Sequence, residues 1–169
     1  MKLHDLLLSK SRDRVFVFQS LSQLNAANID YIEDELNNQF FPNWYSHKDK
    51  IYPKLLILHH HFIIISTCAA DISGCSIDSL VHKIREIEFN LGLTLFDRIK
   101  IPYIEDPMSH FKYNTIDHMQ IKFLDYQDFI LKYGDNKKEN ISILNTRVSY
   151  SDDSWVLPLN VWLKKYVKK

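Results

Sequence analysis

The hydrophobic positions of this 169-residue chain follow two rhythms. Short, unbroken apolar runs occur at residues 15–18 (Val-Phe-Val-Phe), 55–58 (Leu-Leu-Ile-Leu) and 62–66 (Phe-Ile-Ile-Ile-Ser). Runs of this length, rich in β-branched and aromatic residues, predict strands covered on both faces. His59, His60 and His61 separate the second run from the third, which predicts a central antiparallel hairpin with the triplet at its tip. Histidine tolerates the positive φ of a tight turn better than most residues, which suits His60.

Elsewhere the spacing is helical. Ile29, Ile32, Leu36 and Phe40 form one stripe behind Asn25, a good N-cap, and Pro42 stops that helix. Ile77, Leu80, Val81, Ile84, Ile87 and Leu91 form a second stripe. It ends at Gly92, a left-handed C-cap, with Leu93 placed for the accompanying apolar contact. Weaker patterns predict strands at residues 95–101 and 141–148, a loop at Pro102 and Pro107, and a helix over residues 116–133. The Trp-bearing end after Val148 reads as irregular.

Runs of adjacent strands flanked by helices predict the α+β class: a mixed, mostly antiparallel sheet with helices packed on one face. The order strand–helix–strand–strand–helix–strand matches the split βαβ, ferredoxin-like plan. No internal repeat or low-complexity linker divides the chain, so a single domain over residues 1–169 is expected, with 1–12 and 164–169 as loosely attached ends.

Composition narrows the function classes. Hydrophobic residues make up 46% of the chain, as in a packed protein. Lys plus Arg and Asp plus Glu are both 21, so there is no basic excess to suggest nucleic acid as a partner. The tail of Lys164, Lys165, Lys168 and Lys169 reads as a solvated terminus. No apolar run approaches the roughly 18 residues of a membrane span. Leu6-Leu7-Leu8 behind Asp5 is too short and too acidic for a signal peptide. Two cysteines, Cys68 and Cys75, make neither a zinc framework nor a disulfide scaffold, and together these features predict a cytoplasmic protein. Cys68 is expected to be a small buried hydrophobe.

The most particular stretch is residues 73–78, Ser-Gly-Cys-Ser-Ile-Asp. Gly74 allows a sharp turn, and a helix is expected to start at Cys75 or Ser76 with its first amides facing outward. Such an end favours anions and lowers a thiol pKa, so Cys75 is a candidate nucleophile and Gly74, Ser76 and Asp78 are candidate ligand contacts. Asp78 is expected to turn back and satisfy those amides itself, and Gly74 to adopt a conformation costly for other residues. An enzyme would use Cys75 with His47 or His82 as base and the Ser76 and Ile77 amides as an oxyanion hole. A binding or interaction module, for a protein or small molecule, would instead use this loop with Trp44, His47 and Trp155 around it.

Arg98 is a candidate anion clamp, although Asp97 beside it suggests an ion pair. His59 and His61 share a face only if a strand runs through them, and no acid or cysteine completes a metal site, so no metal and no cofactor are expected. There is no Gly-Lys dipeptide, hence no Walker A loop, and no Gly-x-Gly-x-x-Gly, Gly-x-Ser-x-Gly or His-Glu-x-x-His motif.

Taken together, Val15-Phe16-Val17-Phe18-Gln19-Ser20, Trp44-Tyr45-Ser46-His47, Phe62-Ile63-Ile64-Ile65, the residues 73–78 block, Leu95-Phe96-Asp97-Arg98 and Ser154-Trp155 resemble a small uncharacterised family from the Bacteroidota. Its members often carry the label "ABC transporter ATPase". The resemblance implies no activity. The absence of a phosphate-cradling loop excludes ATP hydrolysis as the chemistry the label suggests. The chain departs from the family pattern at Lys48 and His60, where the family tends to have glycine and asparagine; both positions lie in turns.

Overall fold

In chain order the elements are α1 (Leu3–Leu7), β1 (Arg14–Gln19), α2 (Ala26–Glu33), a π-helical stretch (Asp34–Phe40), a 3-10 turn (Phe41–Asn43), β2 (Tyr45–Ser46), β3 (Asp49–Lys50), β4 (Pro53–Leu58) and β5 (Phe62–Thr67). They continue with α3 (Gly74–Leu91), β6 (Lys100–Ile104), β7 (Lys122–Asp125), α4 (Tyr126–Tyr133), β8 (Ser142–Leu144), β9 (Val156–Pro158) and α5 (Leu159–Tyr166). The computed structural model describes residues 2–7, 12–67, 72–105, 121–135 and 140–167. Cys68, Asp71, Pro107, residues 116–120, Lys168 and Lys169 lie outside these, and with them the expectations for Cys68 and for the start of the 116–133 helix.

The class is α+β, with mostly antiparallel sheets. The arrangement is layered. The first sheet has the order β1-β5-β4, all antiparallel. Successive side chains point to opposite faces. Phe18, Ile63 and Ile65 therefore face Leu24, Ile32, Leu36, Leu80, Ile84 and Ile87 of the helical layer. Val15, Phe62 and Ile64 face Ile104, Leu144, Trp155 and Val156 of the second sheet. That second sheet, β7-β6-β8-β9, turns Ile101, Tyr103, Ile143 and Leu157 outward onto α4 and α5. The result is helices, sheet, sheet, helices. In place of the single sheet of the split βαβ plan there are a three-stranded and a four-stranded sheet, with β2-β3 as a separate two-stranded ribbon, because the strand after α3 joins the second sheet.

The hairpin is as expected in register and turn. His59 and His60 hold φ of 51° and 55°, and the His61 N–H donates to the Leu58 carbonyl at 3.1 Å. His59 and His60 are the positive-φ centre of a three-residue connection between the paired Leu58 and Phe62, a form that suits a hairpin. His60 Nδ1–H donates to the Leu24 carbonyl at 3.0 Å and His61 Nδ1–H to the Ser20 carbonyl at 2.9 Å, which ties the tip to the segment after β1. A carbonyl only accepts, so both rings carry a proton on Nδ1. The expected central position needs correction. β5 is buried throughout, but β4 is an edge strand and largely half-buried. It begins with Pro53 and Lys54, two residues that protect an edge from further pairing.

Four further expectations are corrected. The stripe ending at Phe40 shifts to Phe41: the π turn brings Phe41, five residues after Leu36, into the core, and the Phe41 N–H donates to the Leu36 carbonyl. Residues 122–125 form a strand rather than a helix, with Phe123 packed toward the inter-sheet layer and Leu124 toward α4 and α5. Pro102 lies within β6, just ahead of the β8 ladder, where the strand has only β7 beside it. The ends expected to be loose are packed where they are described. Leu3 is fully buried and its N–H donates to the Asp153 carbonyl at 3.1 Å, while Lys164 and Lys165 belong to α5, anchored by buried Trp162 and Leu163. At the end of β6, Glu105 accepts hydrogen bonds from Lys122 and Tyr133 at 2.6 and 2.8 Å, and these hold its carboxyl below the ordinary range.

Candidate functional site

The Ser-Gly-Cys-Ser block opens α3, and the hydroxyls of its two serines fasten that helix. Ser73 is the N-cap, with its hydroxyl accepting from the Ser76 N–H at 3.2 Å. The Ser76 and Ile77 amides both reach the Ser73 carbonyl at 3.1 Å. The two donors expected to form an oxyanion hole are therefore satisfied within the turn. Ser76, buried, donates from its hydroxyl to the Tyr45 carbonyl at 2.7 Å. The Ser73 N–H donates to the Ser46 hydroxyl at 2.9 Å, and the Trp44 indole Nε1–H to the Ser76 carbonyl at 2.9 Å. Trp44 itself is buried against Phe40 and Phe41. Trp44, Ser46, Ser73 and Ser76 thus form a latch between the β2 segment and α3.

Gly74 needs no special backbone. It is the first residue of α3, its φ is not positive, and a Cβ there would meet nothing within 4 Å. The expectation of a costly conformation is wrong because the turn is made by Ser73, which is extended at φ −64° and ψ 154°. The helix likewise starts one residue earlier than expected. Gly92, by contrast, sits at φ 61° in a left-handed cap. Gly92→Ala is expected to cost about 1 kcal/mol or more. Gly74→Ala should be neutral or stabilising by up to about 1 kcal/mol. Thermal denaturation of the two variants checks the pair, and the reverse order would contradict these cap assignments.

Asp78 is five positions past the cap, too far along to reach the first-turn amides, and its exposed carboxylate makes no hydrogen bond among the described residues. Cys75 is exposed, and its thiol has no hydrogen-bond partner among the described residues. His47 sits at φ 56° in the turn between β2 and β3, exposed and bonded to neither Cys75 nor Ser76. His82 is exposed two turns further along α3. The hollow beside Asp78 and His82 contains one cation, Lys83, whose ammonium bonds Glu35 and Glu86. Burial opposes its charge, but these bonds outweigh burial and hold it above the ordinary lysine value. Trp155, expected near the loop, is fully buried between the sheets.

A different site is built along the outer edge of β1. In an antiparallel pair, alternate residues direct both backbone groups to the same side. The N–H groups of Val15 and Gln19 point away from β5 and donate to Ser149 and Leu95 at 2.9 and 3.0 Å. Val17, midway, faces the same way, and its amide and carbonyl have no partner among the described residues. Around this gap lies a cleft of about 410 Å³, walled by residues 95–98 at one end and 146–149 at the other. Volumes of this order suit small ligands.

Arg14, Arg98 and Arg147 line the cleft, and among the described residues none of their guanidinium groups is in an ion pair. Asp97, expected to pair with Arg98, instead accepts the N–H groups of Ile99 and Lys100, both at 2.9 Å. Arg14 rests against Tyr150 at 5.4 Å, and Arg147 against Tyr166 and Trp162 at 5.3 and 5.5 Å. Such stacking fixes a guanidinium plane while leaving its N–H edge to bind. Three cations facing one carboxylate form a local positive surplus on a chain of zero net charge. Of these residues the sequence singled out only Arg98. Arg14 and Arg147 come from distant segments, and nothing in their local patterns marks them.

Among the described residues, no group of three or more His, Cys, Asp or Glu is placed to hold a metal, and no helix is long and apolar enough to cross a membrane. Compared with known family models, curated proteins and solved structures, the chain matches none.

Proposed function

We propose that this chain is a small binding module for an anionic small molecule, held in the cleft beside β1. The observation that carries this reading is that Arg14, Arg98 and Arg147, none of them in an ion pair among the described residues, line one cleft. Unpaired guanidinium groups repel one another, and an anion that accepts from them relieves that repulsion through charge-assisted bonds. The thiol-enzyme alternative lacks such support: the amides it needs are bonded to Ser73, and neither histidine is bonded to Cys75. ATP hydrolysis is no part of the proposal, since the chain has no phosphate-cradling loop. An exposed free thiol at Cys75 suits a reducing compartment such as the cytoplasm.

The test is isothermal titration with inorganic phosphate and with pimelate, a flexible dicarboxylate, on the native chain and on Arg98→Ala. Each charge-assisted arginine contact is worth about 1.5–3 kcal/mol, so Arg98→Ala is expected to weaken binding by about tenfold or more. Because Arg98 is exposed and in no ion pair among the described residues, the same substitution should leave the thermal midpoint unchanged or slightly raised. No saturable binding of either anion up to about 10 mM, or binding indifferent to Arg98→Ala, would overturn the proposal.

A further inference from the structure

The open stretch of the β1 edge narrows the ligand class. This inference rests on the anion-binding reading above and adds to it. An unpaired N–H and C=O on the same residue of an edge strand are a template for one more strand. Here the template is cut to a single residue. The bonds from Val15 to Ser149 and from Gln19 to Leu95 close the edge on both sides of Val17. No extended chain can run along β1, but one amide group can enter between the closures and pair with Val17. The arginines are distributed on both sides of that point. Arg14 precedes Val17 on β1 and Arg147 belongs to the wall at 146–149, whereas Arg98 belongs to the wall beyond Gln19. Val15 and Gln19 are four residues apart, about 13 Å along the strand, a span that a small ligand can bridge.

We infer that the ligand is a small dicarboxylate with a central amide, of the size of an N-acylated acidic amino acid or an acidic dipeptide. Its amide forms a one-residue β-bridge with Val17, and its two carboxylates meet Arg98 on one side and Arg14 with Arg147 on the other. A simple anion uses the arginines and leaves the Val17 amide and carbonyl unpaired, so it forgoes two hydrogen bonds. A long peptide meets the two closures.

The experiment compares N-succinylglycine with pimelate, which has the same number of chain atoms between its carboxylates but no amide, and with inorganic phosphate. Affinities are measured by titration, and hydrogen exchange of the ¹⁵N-labelled Val17 amide is followed in each complex. N-succinylglycine is expected to bind about tenfold more tightly than pimelate, as two net hydrogen bonds allow. It should also slow exchange at Val17 about tenfold or more, whereas pimelate and phosphate leave that amide unprotected. Arg98→Ala should weaken both dicarboxylates alike. Equal affinity of the two dicarboxylates, or tighter binding of N-succinylglycine without protection of Val17, overturns the amide bridge while the anion cleft stands. Failure of all three probes to bind overturns both.

Discussion

Trp155→Ala is expected to destabilise the chain by about 4 kcal/mol, the upper range for deleting a large buried aromatic. Trp155 has 0% exposure and lies between the two sheets, its ring 5.1 Å from that of Phe62 in an edge-to-face contact. Its loss opens a cavity in the layer where β1, β5, β8 and β9 meet, and little can collapse into it because sheets lie on both sides. Trp155→Phe should cost far less, about 1 kcal/mol. The indole Nε1–H is buried without a partner among the described residues, so phenylalanine removes a donor that is already desolvated and unbonded. That gain, about 1–3 kcal/mol, offsets much of the lost ring volume. Guanidinium denaturation followed by far-ultraviolet circular dichroism measures both. A Trp155→Ala cost below about 1.5 kcal/mol, or equal costs for the two variants, would contradict this packing. Either result would bring back the earlier expectation that Trp155 is a ligand contact.

The features that were legible in the sequence are those decided by neighbours a few residues apart. The Asn25 cap is real, and Asn28 returns its bond to complete a capping box. The stripe from Ile77 to Leu91 and its left-handed end at Gly92 are local facts, closed by the Leu93 N–H donating to Glu88 at 3.0 Å. The hairpin needed only two apolar runs and a short turn. The second sheet depended on pairings that local pattern does not record. Lys122–Asp125 is a strand because it pairs with β6, and the spacing of Leu159, Trp162 and Leu163, which does fit a helix, was masked by the irregular stretch before it. The edge position of β4 had a signal in Pro53 and Lys54, but two apolar faces outweighed it.

The candidate site shows the same division. Residues 73–78 stood out because serine, glycine and cysteine together are unusual, and the structure gives that composition a mechanical reason. Two hydroxyls and a cap are needed to hold α3 against Trp44 and Ser46. The arginine cleft joins residues 14, 98 and 147, separated by long stretches of chain, and no spacing rule connects them. Gly74 and Cys75 are spectators of the latch; Ser73 and Ser76 are its working parts.

That distinction yields the second large effect. Ser76→Ala is expected to cost about 2 kcal/mol, because Ser76 is 4% exposed and its hydroxyl serves both the Tyr45 carbonyl at 2.7 Å and the Ser73 hydroxyl at 2.6 Å. Removing it leaves the Tyr45 carbonyl without that donor. Ser73→Ala removes the helix cap and the other half of the hydroxyl pair, and should cost about 1 kcal/mol. Since the two share one hydrogen bond, the double variant should cost less than the sum of the single ones by about 0.5 kcal/mol or more. Cys75→Ser, on the exposed side of the same turn, should fall within about 0.5 kcal/mol of the native chain. Guanidinium denaturation of the four proteins decides the matter. Additive serine effects would mean that the two hydroxyls do not act together. A large Cys75→Ser effect beside a small one for Ser76→Ala would move the working residue of this turn from the serine to the thiol.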